Sequence, residues 1–519
     1  QIHVLLLLEL VLHFNKLIDM NISKYIGLLL TSGLLVSAIT GCTNLEEDVL
    51  GANFIDDGTA TTGTLVGTYN QLGKLTNDIG YSWGMQEYPS DELQGPTRGA
   101  DWGDFGRWRQ LHQHQWTPIH TAVTDTWDEL NIGVYRATQV IANAKGDTQI
   151  EGEARFLRAL FMWEIVDLYG KVPFREVADS PDADPKVFTR IEATAFIIQD
   201  LEYVISKLPS AVFTKANKEA AEALLARVYL NKAVYEQTPN APAGPFNFEK
   251  ASMDKAIENL NKVIASNKYS IQPKGEYFKM FYWNNTMDSK ESIFGIDNTV
   301  ANQPASIRSL VLFTTHYKQY ISGWNGGTTL GDFYDYFDKT KDERSGGEMA
   351  GFTDKTGMRT GFLIGPQHNE KGEALLDRTG NPLSFTREVD LLYAGEANGI
   401  RVIKYPLDPE HTDQPVNDFI PLRYSDVILM KAEAILRGGT DPMGQTAVDL
   451  VNSIRTNRGL DALQTVDLDE LLKERGRELY WEGLRRSDQI RFGTFLNPMD
   501  NKPAKSADHF VVYPIPQKA

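Results

Sequence analysis

Glu474-Arg475-Gly476-Arg477-Glu478-Leu479-Tyr480-Trp481-Glu482-Gly483-Leu484-Arg485-Arg486-Ser487-Asp488-Gln489-Ile490-Arg491-Phe492-Gly493 sets charges of both signs among large apolar side chains. Fifty residues upstream, Leu422-Arg423-Tyr424-Ser425-Asp426-Val427-Ile428-Leu429-Met430-Lys431-Ala432-Glu433-Ala434 does the same. Their span, 419–496, reads as three helices. Ser425 is the expected cap of the first, with Val427, Met430 and Ala434 on its inner face and Gly438-Gly439 as its stop. Asp441-Pro442 is expected to open the second, which carries Ala447, Val451 and Ile454 on one stripe before Gly459. Asp467, followed by Glu470, starts the third through Leu471, Leu472 and Leu479. The charges of 474–491 read as an ion-pair network on or within these helices, not as catalytic groups.

A second helical stretch runs from 124 to 267, with apolar stripes over 125–144, 151–169, 191–208, 216–235 and 252–266. Leu225, Ala226 and Tyr229, followed by Ala256, Leu260 and Val263, have the small-and-large spacing of tetratricopeptide helix pairs. Val427 and Met430, followed by Ala447, Val451 and Ile454, are similar. Between the helical stretches, 277–415 reads as short strands, hairpins and long loops, punctuated by Gly372, Gly380-Asn381-Pro382 and Gly395.

Two loops carry the unusual chemistry. Residues 83–116 hold Trp83, Trp102, Trp108 and Trp116 among Arg98, Asp101 and several glycines, with no helical or strand period. Ser322-Gly323-Trp324-Asn325-Gly326-Gly327 again sets an indole beside an amide on a glycine-rich loop. A flat apolar face beside hydrogen-bonding groups suits a sugar ring, whose C–H face packs on the indole while its hydroxyls meet polar partners. Trp324, Trp102, Trp108 and Trp83 are the candidate stacking residues. Asn325, Arg98 and Asp101 are the polar partners, and Tyr320 and Trp283 are secondary. Some of these tryptophans are expected to pin the loop to the helices behind it. His112, His114 and His120 read as polar loop residues, and Asp332, Asp335 and Asp338 as a solvated helix face, so no metal site is expected.

The chain has 519 residues, a net charge of -17 and one cysteine, Cys42. The acidic balance argues against nucleic acid and favours an uncharged polymer over a polyanion, although Arg98, Arg107 and Arg109 could locally reverse the second preference. No esterase, zinc-protease, phosphate-loop or dinucleotide motif is present. A glycoside hydrolase needs only two carboxylates across a cleft; Glu87, Asp91 and Asp101 would be the suspects.

The strings 422–434 and 474–493, the helical Ala154-Arg155-Phe156-Leu157-Arg158-Ala159-Leu160 and the ending Val512-Tyr513-Pro514-Ile515-Pro516 together resemble the SusD/RagB family of Bacteroidota. The resemblance implies a mainly α fold in which tetratricopeptide-like helical pairs pack against a loop-rich half with short strands and hairpins. It implies a glycan-binding lipoprotein without catalysis or cofactor, whose aromatic loops capture oligosaccharide or polysaccharide for a SusC-like TonB-dependent transporter. Some members serve peptide uptake. Residues 20–41, a basic start, an apolar run and Ile39-Thr40-Gly41 before Cys42, resemble a lipoprotein signal, with 1–19 as an over-extended reading frame. Cys42 would then carry lipid and anchor the chain to the outer membrane, 42–68 would be a tether, and 69–519 one domain.

Overall fold

The computed structural model describes residues 58–519 apart from 77–78, 181 and 303, with side chains described from residue 64. The expectations for 1–41, for lipid on Cys42 and for the first part of the tether lie outside the described residues. The rest of that tether is not extended chain: helix α1 runs over Gly58–Gln71.

Five long helices follow: α2 (Thr121–Asn143), α3 (Thr148–Tyr169), α4 (Arg190–Lys207), α5 (Lys218–Tyr235) and α6 (Lys250–Ala265). Each packs on the next in chain order. Their starts are written locally. Asp147 accepts from the Gln149 and Ile150 amides, Thr189 and Glu192 form a reciprocal capping box, and Asn217 accepts from Ala220. Helix α3 is buried almost all round, so it is the spine of the array. Gly133 of α2 lets the two helices approach: a Cβ there would sit 2.6 Å from the Phe161 ring.

The chain then leaves the array for the loop-rich half. That half holds α7 (Ile307–Thr314) and two small antiparallel pairs, β4 (Gly361–Leu363) with β7 (Arg401–Ile403) and β5 (Gly365–Pro366) with β6 (Ser384–Phe385). One further pair, β1 (Val172–Phe174) with β2 (Lys186–Phe188), lies between α3 and α4. The chain returns through β8 (Phe419–Arg423), which pairs antiparallel with β3 (Ser292–Ile296) and runs straight into α8 (Tyr424–Leu436). Helix α8 packs on α6, and α9 (Ala447–Asn457) on α8, which continues the array. Helices α10 (Leu468–Leu479) and α11 (Arg485–Arg491) complete it. The mainly α expectation holds, as does the division into helical and loop-rich parts.

Two helix starts differ from the sequence reading. Ser425 lies inside the first turn of α8 and caps nothing; the Tyr424 and Ser425 amides donate instead to the carbonyl and carboxylate of Glu291, beside β3. A strand partner supplies the cap, which no local pattern reveals. Asp441 does not open α9. It accepts from the Met443 and Gln445 amides in a turn, and Thr446 with Asp449 forms the capping box. Asp467 caps α10 as expected.

The two charged strings find each other. Arg423 donates to Glu478 and Glu482, Arg475 pairs with Asp426, and Arg491 takes both oxygens of Glu433, all buried. Glu478 accepts from three guanidiniums, those of Arg344, Arg423 and Arg458. Burial opposes the charge of Glu433 and Glu474, yet the arginines around them hold both carboxyls down to about 2. Arg155 and Arg158 likewise share Asp200, so their role is structural.

Candidate functional site

Two loops of the expected pair converge on one cleft of about 290 Å³, lined among others by Arg98, Asp101, Trp102, Tyr317, Trp324, Asn325, Arg378 and Glu396. Five of the sequence candidates therefore meet: Trp324, Trp102, Asn325, Arg98 and Asp101. The contact that joins the loops involves both tryptophans: the Trp102 indole N–H donates to the Trp324 carbonyl at 2.9 Å. Trp324 keeps 45% of its surface exposed, while Trp102 is half-buried against Phe313, with ring centroids 5.2 Å apart.

The glycines of 322–327 explain the close fit. A Cβ on Gly326 would lie 2.4 Å from the Trp102 ring, so only glycine lets that indole lie on the loop. Neighbouring positions are strained: Trp102, Asp104, Phe105, Ser322 and Asn325 hold five of the ten positive φ angles found at non-glycine residues among the described residues. Strain of this kind persists where surrounding contacts over-determine the conformation. Those contacts are present. The Arg98 guanidinium donates to the carbonyls of Gly326, Gly395 and Asn398, which ties three loops together. Arg401 donates to Asn398, Gly399, the Glu396 carbonyl and the Asn325 side chain.

These bonds change the roles expected of two residues. The Asn325 amide is engaged by Arg401 and the Glu396 carbonyl, and the Arg98 nitrogens by main-chain carbonyls, so both shape the cleft. The polar groups on offer are the exposed Asp101 and Arg378 and the half-buried carboxylate of Glu396; the Tyr317 hydroxyl has no hydrogen-bond partner but is itself buried from solvent. Arg378 lies over the Tyr317 ring, 4.1 Å from its centroid. His316 is buried behind, its Nε2 3.9 Å from Glu396; burial and the fields of Arg401 and Arg98 push it down to about 3, so it is neutral. Sequence reading missed Tyr317, Arg378, Glu396 and Arg401. Tyr317 lies three residues from the nominated Tyr320, but the other three carried no motif.

The remaining candidates lie elsewhere. Trp83 is 2% exposed and belongs to the core: it donates to the Trp481 carbonyl and meets that indole edge-on. Trp108 is also buried, stacked on Tyr88 at 5.0 Å and bonded to Asp104, so it backs the cleft without lining it. These are the pinning tryptophans. Trp283 packs beside Tyr282 and Tyr320 donates to the Pro409 carbonyl, both outside the cleft. Of the histidines, His114 and His120 lie on loops and His112 ends a short helix, and all three are buried against the carbonyls of Pro89, Arg107 and Asp500. The suspect carboxylates divide as well. Glu87 is buried and accepts from the Gly483 amide, and Asp91 takes a bidentate pair from Arg485, so only Asp101 faces the cleft. Asp332 and Asp335 share Arg387 at the surface.

The fold is thus a tetratricopeptide-like helical array whose loop-rich half carries an aromatic cleft. Profiles described as "SusD family" and "Starch-binding associating with outer membrane" match residues 393–518 and 96–230. Among similar proteins, the starch-binding protein SusD of Bacteroides thetaiotaomicron is 25% identical over 91% of this chain and 91% of its own length. SusD-like protein P2 of Formosa agariphila is 23% identical over 93% and 95%. Among solved structures, a laminarin-binding SusD-like protein superposes with a TM-score of 0.67 at 18% identity, covering 89% of this chain and 97% of that one. Surface glycan-binding protein A of B. thetaiotaomicron, in complex with laminarihexaose, superposes with a TM-score of 0.66 at 19% identity and the same coverage. Both profiles, and the relatives that match along most of their length, are SusD-like. No helix among the described residues is long and apolar enough to cross a membrane.

Proposed function

We propose that this protein is a glycan-binding lipoprotein of the cell surface that captures oligosaccharide in the Trp102–Trp324 cleft. Capture involves no chemistry; the ligand passes to a SusC-like TonB-dependent transporter, and lipid on Cys42 holds the chain at the outer membrane. The observation that carries the reading is the locked pair of indoles, one exposed and one half-buried, beside the exposed Asp101 and Arg378 side chains. An indole face takes the C–H side of a pyranose, and exposed polar groups take its hydroxyls. The glycan-binding relatives support the ligand class. Affinity should be modest, because an open cleft leaves much of the ligand in water.

Affinity electrophoresis of the chain from residue 43, against a panel of polysaccharides, tests this beside Trp324→Ala. Retardation by at least one glycan, lost in the variant and without release of reducing sugar, is the expected result. Release of reducing sugar overturns the non-catalytic reading; binding of peptides but no glycan overturns the ligand class. Co-purification with a TonB-dependent transporter from native membranes tests the partner.

A further inference from the structure

Arg98 and Arg401 stand apart from the other buried arginines among the described residues. Every other buried arginine among the described residues, in the charged strings and elsewhere, ion-pairs with at least one carboxylate. Arg98 and Arg401 have none: the bonds of Arg98 go to carbonyl oxygens, and those of Arg401 to carbonyls and one side-chain amide. A buried charge that is hydrogen-bonded but not paired keeps its field, and low surrounding polarisability lets that field reach neighbours. Burial pulls Arg98 down to about 9 with no carboxylate opposing it, and the neutral His316 between these groups reports the same positive surroundings.

Arg98 lines the Trp102–Trp324 cleft, and Arg401 sits directly behind its Asn325 wall. A third guanidinium, Arg378, stands 60% exposed at the mouth. The carboxylates that face these three are Asp101 and Glu396, which lie 3.8 and 3.6 Å from Arg378. Glu396 is also 3.9 Å from the neutral His316. Both carboxylates are thus placed against Arg378, and the two buried cations remain without a counter-charge.

We infer that the cleft selects an oligosaccharide bearing an anionic group, a carboxylate or a sulfate ester, over its neutral counterpart. The inference rests on the glycan-binding reading above and names the ligand class within it. It reverses the expectation drawn from the net charge of -17. That charge is spread over a solvated surface and screened within about 8 Å at physiological salt, whereas Arg98 and Arg401 are buried within the wall itself. The local field wins over the global one. Arg378, over the Tyr317 ring and held only loosely by carboxylates, is the group free to turn onto the anion with a forked contact.

The test is calorimetric titration of the protein with three hexasaccharides: laminarihexaose, hexagalacturonate and a sulfated carrageenan hexasaccharide. Each is run at 50 and 300 mM NaCl with wild type, Arg378→Gln and Trp324→Ala. The expected result is a preference for one or both acidic sugars on the order of tenfold at low salt, shrinking at high salt. The acidic-to-neutral ratio should fall toward one in Arg378→Gln, and binding should be lost in Trp324→Ala. Hexagalacturonate alone points to carboxylate and the carrageenan alone to sulfate. Laminarihexaose bound as tightly as the acidic sugars, independently of salt, overturns the anion inference and leaves the glycan reading standing. No binding of any of the three to wild type, together with no retardation on the polysaccharide panel, overturns both.

Discussion

Replacing Glu478 with glutamine isolates the force that joins the two ends of the fold. The change conserves shape and removes one negative charge from among Arg344, Arg423 and Arg458, whose nitrogens lie 2.9 to 3.2 Å from the Glu478 oxygens. All four side chains are buried, so water cannot replace the lost charge. Each arginine keeps other carboxylates: Asp342 and Glu474 for Arg344, Glu291 and Glu482 for Arg423, Glu291 for Arg458. The chain should therefore still fold. The loss is that of breaking a buried pair from one side, about 3–5 kcal/mol, because the arginines remain desolvated. The glutamine amide also directs two donors at donors. Guanidinium chloride unfolding followed by circular dichroism reads the change as a lower midpoint. Glu258→Gln serves as control: Glu258 pairs with Lys255 and Lys262 on an exposed face of α6 and should cost under about 1 kcal/mol. Equal midpoints for the two variants would refute the claim that the network holds the halves together.

Gly326→Ala should weaken glycan retardation while costing about 1–3 kcal/mol of stability, because the new Cβ overlaps the Trp102 ring and must displace it; wild-type retardation in this variant would show that Trp102 does not line the ligand site. Stability should change little between pH 7 and about 4.5 and fall steeply below 4, as a series of thermal melts would show. Burial raises Glu87, Glu164 and Glu222 to about 7, a contribution that grows as pH falls toward the ordinary glutamate range. Burial lowers His114 and His316 to about 3, so acid works against the fold below about 6.5, and the two sets oppose each other. Asp426, Glu433 and Glu474, held at about 2 by their arginines against the effect of burial, each lose their contribution as pH drops from the ordinary carboxylate range through 2. A plateau persisting to pH 2 would contradict those assignments.

The helical frame was legible because its information is local. Apolar stripes at helical spacing placed α2–α6 and α8–α10 within a few residues, and Asp467 capped where its pattern said. What could not be read was decided across the chain. Ser425 and Asp441 have the chemistry of caps, but Glu291 from a distant strand and Thr446 from the next turn hold those positions. Trp83 and Trp108 lie on short helices, Ser82–Glu87 and Arg107–His112, where the sequence pattern showed only loop; burial under Trp481 and Tyr88 separates them from Trp324, which is on a loop. Arg401 lies in a short strand and Arg378 in a hairpin, 76 and 54 residues along the chain from Asn325 and Trp324. Nothing in their surroundings marks them as neighbours of those residues. The two buried arginines at the cleft were hidden in the same way, since the composition counts them with the other basic residues.

Amide hydrogen–deuterium exchange, with and without a glycan that retards the protein on a gel, tests the central assignment most directly. The account predicts slowed exchange in residues 98–104, 315–327 and 393–399, the segments that Arg98, Arg401 and the Trp102–Trp324 bond hold together. Protection confined to another surface, such as the cleft around Tyr336, Gln489 and Asp500, with none at Trp102 or Trp324, would contradict it.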